Sequence, residues 1–494
     1  MQEGCSVPQP SQSLFTLERE RLGLGHRINA PSFKNDRTLL KLATFDADSF
    51  KPFGQLSALS NEFTTLGHPA FPKYSVRVKK SDFCDGTVAA YTGYIDVEAR
   101  HLFFYFFESR NDPAEDDVIF WTNGGTLLRN AYYVRECVLT ILLAKVPEAP
   151  PPSASSWSSP VGVGHSYAEY GETVSTTEEA AVDIAAFVAI FFEHFGLFKN
   201  RGFHMAGESY GGRYIPLFAS AVYDQNAKLV EAGMTPVNLS SIMIGSAWTD
   251  QYKMILSYYD MQCTLASLPP ILDISTCVRM SQVVPRCQKR MQASCIDVFD
   301  FIGCSEVMAI CPAEIQDPFI ASGMNLHYLS KPCEGLQCGL CYSRIDTISE
   351  YLAQPSLRTA LGVDPAVTGN DTTTSRPVEG MFIASNDMLR TSYDHVAALL
   401  ERGVRVLIYT GTYDWICNWV GNERWVMALE RSGRGELAEA ELRGWNVDGK
   451  EVGKTRSARS LTWATIYGAG HMAPYDKPKE SLEMVNRWLA GQEL

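Results

Sequence analysis

Neither a signal peptide nor a membrane span is recognisable in this sequence. Residues 1–8 contain no basic region followed by an apolar run, which a secretory signal requires. The longest apolar stretches cover residues 138–146 and 180–192; the first is too short to cross a bilayer, and Asp183 interrupts the second. We therefore expect no membrane span, and export would need either a start upstream or an unusual route.

An excess of basic charge is also missing. The chain has 43 Lys and Arg residues against 56 Asp and Glu residues, which gives a net charge of −13. Proteins that bind nucleic acids usually carry a basic stripe, so we expect no nucleic-acid partner. The 494 residues, 46% of them hydrophobic, are enough for one large domain with additions or for several smaller ones.

Cysteine, in contrast, is abundant, with 13 residues in the chain and nine of them between 263 and 341. Zinc is the weaker explanation, because Cys338-Gly-Leu-Cys341 is the one close pair and has no second pair to complete a site. Disulfides are the stronger explanation, and they indicate an oxidising compartment. We expect neither a metal nor another cofactor.

The N-terminal region, residues 1–80, is polar, has no clear repeat and ends in Lys79-Lys80. Two interpretations are equally supported. It is either a pro-segment that is removed by a dibasic cut, or a loose N-terminal arm. We therefore divide the chain into a pro-segment-like region, 1–80, and a main domain, 81–494.

Several short apolar runs bounded by turn residues predict strands in the main domain. They cover residues 89–97, 102–108, 118–121, 203–206, 242–244, 404–409 and 461–467.

A helix is predicted over 175–195, where apolar residues recur with helical spacing. Its capping box is formed by Ser175 with Glu178 or by Thr176 with Glu179. Strands that alternate with helices predict an α/β fold with a mostly parallel sheet covered on both faces. The cysteine-rich stretch at about 250–345 interrupts this alternation, which indicates an inserted cap subdomain.

Ser209 lies in Gly207-Glu-Ser-Tyr-Gly211, directly after the predicted strand 203–206 and before a probable helix. A serine between two glycines at such a junction is typical of a nucleophile elbow, in which the glycines permit a very sharp turn. The five-residue pattern alone is weak evidence, because glycine and serine are common.

A nucleophilic serine needs a base, and His471 is the best of the nine histidines. It lies in a glycine-rich loop after a predicted strand, where α/β proteins place catalytic groups. His204 lies inside a strand and His194 at a helix end, where structural roles are more common. Asp414 also follows a strand, and the order Ser, Asp, His is that of α/β hydrolases. We expect Asp414 to orient the imidazole.

Four longer motifs resemble the serine carboxypeptidases of the vacuolar fungal type. They are Gly207-Glu-Ser-Tyr-Gly-Gly-Arg-Tyr-Ile-Pro216, Asp414-Trp-Ile-Cys-Asn-Trp-Val-Gly421, Gly470-His-Met-Ala-Pro474 and Phe107-Glu-Ser-Arg-Asn-Asp-Pro113. The resemblance runs from about Tyr91 to Leu489. It implies an α/β-hydrolase fold, release of C-terminal residues from peptides or proteins, and a vacuolar, lysosome-like or secreted location.

The resemblance also implies roles for particular residues. These are the triad Ser209, Asp414 and His471; the oxyanion donors Gly125 and Tyr210; substrate-carboxylate binding by Asn123 and Glu208 with Trp121 and Gly124 nearby; and Met472 in the leaving-residue pocket. Glu208 beside a substrate carboxylate is a like-charge pair, which retains one shared proton. Activity should therefore be strongest at acidic pH.

The resemblance also implies how the cysteines pair. The sequence itself contains two glycosylation sequons. The implied disulfides are Cys263–Cys277, Cys287–Cys311, Cys295–Cys304 and Cys333–Cys341, with Cys417 as a free thiol near the site. Cys5, Cys84, Cys137 and Cys338 have no assigned partner. Asn238-Leu-Ser and Asn370-Asp-Thr are N-glycosylation sequons, provided that the chain enters the secretory route.

The resemblance breaks over residues 126–159. After Gly125 the family continues Pro-Gly-Cys-Ser-Ser, whereas this chain reads Thr-Leu-Leu-Arg-Asn, and the match returns at Pro160. A cysteine and its partner, an acidic residue and a buried strand before Pro160 are therefore expected to be missing. Two explanations remain open: an error in the gene model, or divergence into a weak or inactive homologue or an acyltransferase.

Overall fold

The structure is a computed structural model. It describes residues 42–46, 50–81, 83, 88–123, 153–157, 164–333, 341–367 and 376–494. The strands are β1 Thr64–Gly67, β2 Tyr74–Ser81, β3 Ala90–Val97, β4 Arg100–Phe107, β5 Val118–Asn123, β6 Ser153–Trp157, β7 Tyr167–Ala168, β8 Phe203–Glu208, β9 Leu239–Gly245, β10 Arg405–Gly411, β11 Arg443–Val447, β12 Lys450–Ala458 and β13 Leu461–Ile466.

The α-helices of the described residues lie mostly between and after these strands. They are α1 Thr177–His194, α2 Gly211–Glu231, α3 Gln251–Cys263, α4 Ile274–Met291, α5 Phe301–Ile315, α6 Asp317–Ile320, α7 Ser343–Leu352, α8 Pro355–Leu361, α9 Arg376–Ala384, α10 Tyr393–Glu401, α11 Trp419–Ala428, α12 Arg434–Glu439, α13 Ala473–Asp476 and α14 Pro478–Leu489. Of these helices, none has the length and apolarity needed to cross a bilayer.

All thirteen strands form one sheet in the order β1-β2-β3-β4-β6-β5-β8-β9-β10-β13-β12-β11, with β7 paired to β4. The centre, from β6 to β13, is parallel, and both flanks are antiparallel. Met205 of β8 packs into the core that also contains α1 and α2, whereas its neighbour Ala206 packs with Trp488 of α14. Helices therefore cover both faces, and the α/β-hydrolase prediction is confirmed.

Helix α1 begins as the second of the two capping boxes predicts. The Thr176 side chain accepts a hydrogen bond from the backbone N–H of Glu179 at 3.3 Å. The Glu179 carboxylate accepts in turn from the N–H of Ser175 at 3.0 Å. The apolar side then packs Phe187 on Phe104 of β4, which holds the helix against the sheet.

The described part of the N-terminal region, residues 42–46 and 50–80, contributes two strands to the sheet. Strands β1 and β2 belong to the sheet, and Val76 and Val78 are buried in its core. Lys79 and Lys80 lie inside β2, where they pair with β3, so the proposed dibasic site is in a hydrogen-bonded strand. The division at residue 80 therefore does not follow a boundary of the fold, because β2 pairs with β3 along its whole length.

The expectation of a missing strand before Pro160 is wrong. Strand β6, with the sequence Ser-Ala-Ser-Ser-Trp, lies between β4 and β5 and pairs with both. A sheet ladder uses backbone N–H and C=O groups, so an unusual sequence is able to occupy the position. The centre of the sheet is therefore continuous.

The cap subdomain is helical and has its own apolar core, which includes Met261, Met280 and Phe319. The structure contains the four disulfides that the resemblance implies, Cys263–Cys277, Cys287–Cys311, Cys295–Cys304 and Cys333–Cys341. Backbone hydrogen bonds from Trp415 and Ile416 to Leu326 join the cap to the loop after β10. The cap is thus fixed beside the loop that carries Asp414.

Candidate active site

The predicted site residues meet at one edge of the sheet. Asn123 ends β5, Ser209 directly follows β8, Asp414 follows β10, and His471 follows β13. These four strands run parallel in the centre of the sheet, so their carboxyl ends lie side by side. An α/β sheet places its ligand site at this edge.

Ser209 is held in a strained turn. Its φ of 61° lies in the left-handed region, which residues other than glycine rarely adopt. Two glycines make the turn possible, because neighbouring backbone lies so close to them that a side chain would not fit. A Cβ on Gly207 would lie 2.4 Å from the carbonyl oxygen of Thr122, and one on Gly212 would lie 2.6 Å from the nitrogen of Trp248. The geometry is that of a nucleophile elbow.

Asp414 and His471 are both buried and hydrogen-bonded to each other, with 3.0 Å between Asp414 Oδ2 and His471 Nδ1. The other carboxylate oxygen accepts from the backbone N–H of Cys417 at 3.1 Å. The backbone of His471 donates to the His327 carbonyl and accepts from the Ser246 hydroxyl. The imidazole therefore has a fixed position and a carboxylate partner.

The buried free thiol of Cys417 connects Ser209 to this pair. Its sulfur and the ligand atoms of Asp414 and His471 lie within 4.8 Å of one another, and the Ser209 side chain forms a hydrogen bond with it. Burial and the charge of Asp414 raise the pKa of the thiol well above its usual value. A protonated thiol is a poor metal ligand, so this cluster favours hydrogen bonding over metal binding.

Competing effects act on His471. Burial alone would lower its pKa, but the charge of Asp414 and the hydrogen bond to it outweigh burial, with further help from Glu208 and Asp476. The pKa of His471 is therefore raised above its usual value. An imidazolium at this position is stabilised by the surrounding carboxylates.

Glu208 and Asn123 are register partners at the ends of β8 and β5, and both are buried. The Trp121 indole donates to Asn123 Oδ1 at 2.9 Å, and the Tyr409 hydroxyl donates to Glu208 Oε1 at 3.4 Å. A carboxyl and an amide are thus held side by side, and Glu208 directly precedes Ser209 in the chain. Such a pair is suited to binding a carboxylate that shares a proton.

A buried polar network beneath the elbow was not predicted from the sequence. The Tyr210 hydroxyl donates to Asp387 Oδ2 at 2.6 Å, and Arg213 Nη2 donates to Asp387 Oδ1 at 3.2 Å. Thr177 donates to the same carboxylate through its N–H and hydroxyl, and Arg213 also donates to Glu178. The network ties the first turns of α1 and α2 to the residues that follow α9.

His327 was also missed. Its ring lies 5.3 Å from that of His471, centroid to centroid, in an edge-to-face arrangement. Neither ring nitrogen has a hydrogen-bond partner among the described residues, and burial with the nearby His471 lowers the pKa of His327 well below its usual value. A neutral imidazole therefore packs against His471. No sequence pattern singles it out from the other histidines.

The remaining predicted residues are distributed as follows. Met472 is buried beside His471, and Asn238 is exposed. The backbone N–H of Tyr210 lies at the amino end of α2, where such groups have no partner within the helix. Three predicted positions and the four unassigned cysteines lie outside the described residues, namely Gly124, Gly125, Asn370, Cys5, Cys84, Cys137 and Cys338.

The chain is similar to known proteins over most of its length. The sequence model of the serine carboxypeptidase family matches residues 84–126 and 157–491. Carboxypeptidase Y of Komagataella phaffii is 34% identical over 440 residues, which cover 85% of this chain and 80% of that protein. Carboxypeptidase Y homolog A of Aspergillus niger is 36% identical over 442 residues, covering 85% of this chain and 76% of that protein.

A solved structure shares the fold. The prohormone-processing carboxypeptidase Kex1 of Saccharomyces cerevisiae superposes with a TM-score of 0.66 at 19% identity, covering 83% of this chain and 95% of that one. The family match omits residues 127–156, within the segment where the sequence departs from the family. On both sides of this gap the match is extensive, and the chain belongs to the serine carboxypeptidase family, serine-type peptide hydrolases with an α/β-hydrolase fold.

Proposed function

We propose that this protein releases C-terminal residues from peptides and proteins with Ser209, Asp414 and His471 as its triad. The hydrogen bond of 3.0 Å between His471 Nδ1 and Asp414 Oδ2, beside a serine in a strained elbow, carries the proposal. Because Asp414 occupies Nδ1, Nε2 is the nitrogen that accepts the proton of Ser209.

The reaction proceeds through an acyl-enzyme. The Ser209 oxygen bonds to the last peptide carbonyl carbon while its proton passes to His471, and the carbonyl electrons move to oxygen. The N–H groups of Tyr210 and Gly125 stabilise this oxyanion. His471 then protonates the leaving amine as the C–N bond breaks. Water, which gives a proton to His471, hydrolyses the ester and restores Ser209.

The C-terminal carboxylate of the substrate binds to Glu208 and Asn123, with Trp121 and Gly124 alongside. The pairing of Asn123 and Glu208 in adjacent strands supports this role. Two carboxyl groups in contact retain one proton, which is lost as the pH rises. Met472, buried next to His471, lines the pocket for the leaving residue.

The pH dependence has a second limb. The negative charge of Glu208 contributes to the raised pKa of His471, and His471 acts as a base only when its imidazole is unprotonated.

A second candidate is a catalytically impaired homologue. It is favoured by the gap in the family match at 127–156, because this gap begins directly after the residues proposed for the oxyanion and carboxylate sites. Such a protein would keep the elbow but bind and turn over peptides poorly. An acyltransferase on the same scaffold has no specific support among the described residues.

A vacuolar, lysosome-like or secreted location is consistent with the four disulfides, since such bonds persist in oxidising compartments. Glycosylation at Asn238 is part of the same proposal, because this sequon residue is exposed. Asn370 is the second predicted acceptor.

Labelling with a fluorophosphonate probe tests the proposal. The wild-type protein should be labelled and should shorten a peptide with a free C-terminus one residue at a time, as followed by mass spectrometry. Ser209→Ala should abolish both. Ser481→Ala is the matched control, because Ser481 is also buried and its hydroxyl has no partner among the described residues.

The outcomes separate the two candidates. Labelling of Ser209 without release of C-terminal residues would favour the impaired homologue. A folded protein that is not labelled at Ser209 would exclude the triad altogether, and near-ultraviolet circular dichroism establishes whether the preparation is folded.

A further inference from the structure

The cap contains two antiparallel helices, α4 and α5, which we call the cap hairpin, and each has an exposed side. The disulfide Cys287–Cys311 joins the two helices, and Cys295–Cys304 joins α5 to the turn that follows α4. Their inner sides are buried in the cap core, through residues such as Met291. The outer sides therefore form one continuous face.

The α5 half of this face is unusually apolar. The exposed residues of α5 are Phe301, Ile302, Glu306, Ala309, Ile310, Ala313 and Glu314. Ile302 is 76% exposed and Ile310 is 43% exposed. A helix face that only contacts water is normally polar, and a contiguous exposed apolar surface usually marks an interaction site.

The α4 half carries positive charge as well as apolar residues. Arg279, Arg286, Lys289 and Arg290 are all exposed, and none of the four forms an ion pair with a residue that the structure describes. Ile274 is 84% exposed at the start of this helix. Four uncompensated cations stand out in a chain whose net charge is −13.

The two halves complement each other in charge and in position. The antiparallel pairing set by the disulfides places Arg286, Lys289 and Arg290 of α4 between the levels of Glu306 and Glu314 of α5. When two such faces meet about a two-fold axis parallel to the helices, α4 of each copy lies on α5 of the other. Cations then face carboxylates, and small Ala309 and Ala313 permit close helix contact.

We propose that the cap hairpin is the interface of a homodimer, in which α4 of one copy packs against α5 of the second. An anionic membrane is the weaker occupant, because Glu306 and Glu314 stand among the apolar residues and would be repelled by it. A second copy satisfies both signs of charge and covers the apolar residues.

Sedimentation velocity over a range of concentrations tests the proposal with the full chain. The wild-type protein should dimerise, and Ile310→Glu should raise the dimer Kd about thirtyfold or more, as expected for a residue at the centre of an interface. Leu197→Glu is the matched control, since Leu197 is 50% exposed outside the cap, and it should leave the Kd unchanged.

Charge reversal distinguishes a specific interface from misfolding. Arg286→Glu with Lys289→Glu should give a monomer, and so should Glu306→Lys with Glu314→Lys. Mixing these two variants should restore a dimer, because each then meets a complementary face. A wild-type protein that stays monomeric at its highest soluble concentration, or variants that do not associate when mixed, would overturn the proposal. So would a monomer that binds vesicles containing anionic lipid through the same residues.

Discussion

The hydroxyl of Tyr210 donates a hydrogen bond of 2.6 Å to the buried carboxylate of Asp387. Burial would raise the pKa of Asp387, but Arg213 and the hydrogen bonds from Thr177 and Tyr210 keep it below its usual value. The acceptor is therefore a charged carboxylate, and hydrogen bonds to charged groups are the stronger ones. Tyr210 follows the nucleophile, so this bond fixes the backbone N–H proposed for the oxyanion.

Tyr210→Phe removes this hydrogen bond while keeping the aromatic ring. We expect kcat to fall about tenfold with little change in KM, because a displaced oxyanion donor weakens transition-state binding more than substrate binding. Steady-state kinetics with a chromogenic peptide measures both constants. Asp387→Asn, which keeps the size but loses the charge, should act in the same direction.

Tyr74→Phe is the control for a general loss of stability. The Tyr74 hydroxyl donates to the buried Asp183 at 3.3 Å, and neither residue takes part in the hydrogen bonds around Asp387. Its removal should lower the unfolding free energy without the change in kcat. Equal changes in kcat for both variants would exclude a positioning role for Tyr210.

Local sequence patterns predict the triad positions but not the buried network that supports the elbow. Ser209, Asp414 and His471 each directly follow a buried strand, so local patterns were enough to find them. Asp387 was not found, because its partner Thr177 is 210 residues away in the chain. A buried ion network depends on how distant segments pack, which one sequence does not reveal.

Strand β6 shows a different limit of sequence reasoning. Ser-Ala-Ser-Ser-Trp has neither the β-branched residues nor the alternation of a typical strand. It forms one because β4 and β5 offer backbone partners on both sides. Tertiary context has overridden local preference here, just as β2 joins the sheet although the region before residue 80 is polar.

Ser155→Pro tests whether β6 completes the sheet. Each N–H of this strand points to β4 or β5, and Ser155 pairs with Phe106 and Phe120. Proline removes the N–H and has no place inside a sheet, so we expect the unfolding free energy to fall by about 1–3 kcal/mol, the cost of a backbone partner left without its hydrogen bond. Chemical denaturation measures this change. Ser155→Ala, which keeps the backbone N–H, should be nearly neutral; an equally neutral proline variant would show that the strand does not form.

Glu208→Gln should change both limbs of the pH profile of kcat/KM. The rising limb, which follows deprotonation of His471, should move to lower pH, because the charge of Glu208 helps to raise the pKa of His471. The falling limb, which follows loss of the proton shared with the substrate, should disappear. Initial rates between acidic and alkaline pH measure both limbs.

Asp476→Asn separates the two effects. Asp476 also raises the pKa of His471 through its charge, but it accepts hydrogen bonds from Gly470 and Tyr342 and has no proposed contact with the substrate. Only the rising limb should move in this variant. A falling limb that persists in Glu208→Gln would contradict the shared-proton model.

Buried His165 should make the fold less stable in acid. Burial, aided by the charge of Arg358, lowers the pKa of His165 to about 3, whereas the unfolded chain binds a proton near its usual value of about 6.5. The unfolded state therefore holds more protons between these values, and the unfolding free energy falls as the pH decreases through this window. From pH 6.5 to 4.5 the loss should be about 2 kcal/mol for this residue.

His165→Leu removes the titration, so its unfolding free energy, measured by denaturation at several pH values, should depend less steeply on pH. Phe103→Leu is the control, because the Phe103 ring packs against His165 at 5.3 Å between centroids and does not titrate. It should lower the unfolding free energy by the same amount at every pH. Parallel pH curves for wild type and His165→Leu would mean that the folded protein protonates His165 as readily as the unfolded chain, which a side chain with only 1% exposure should prevent.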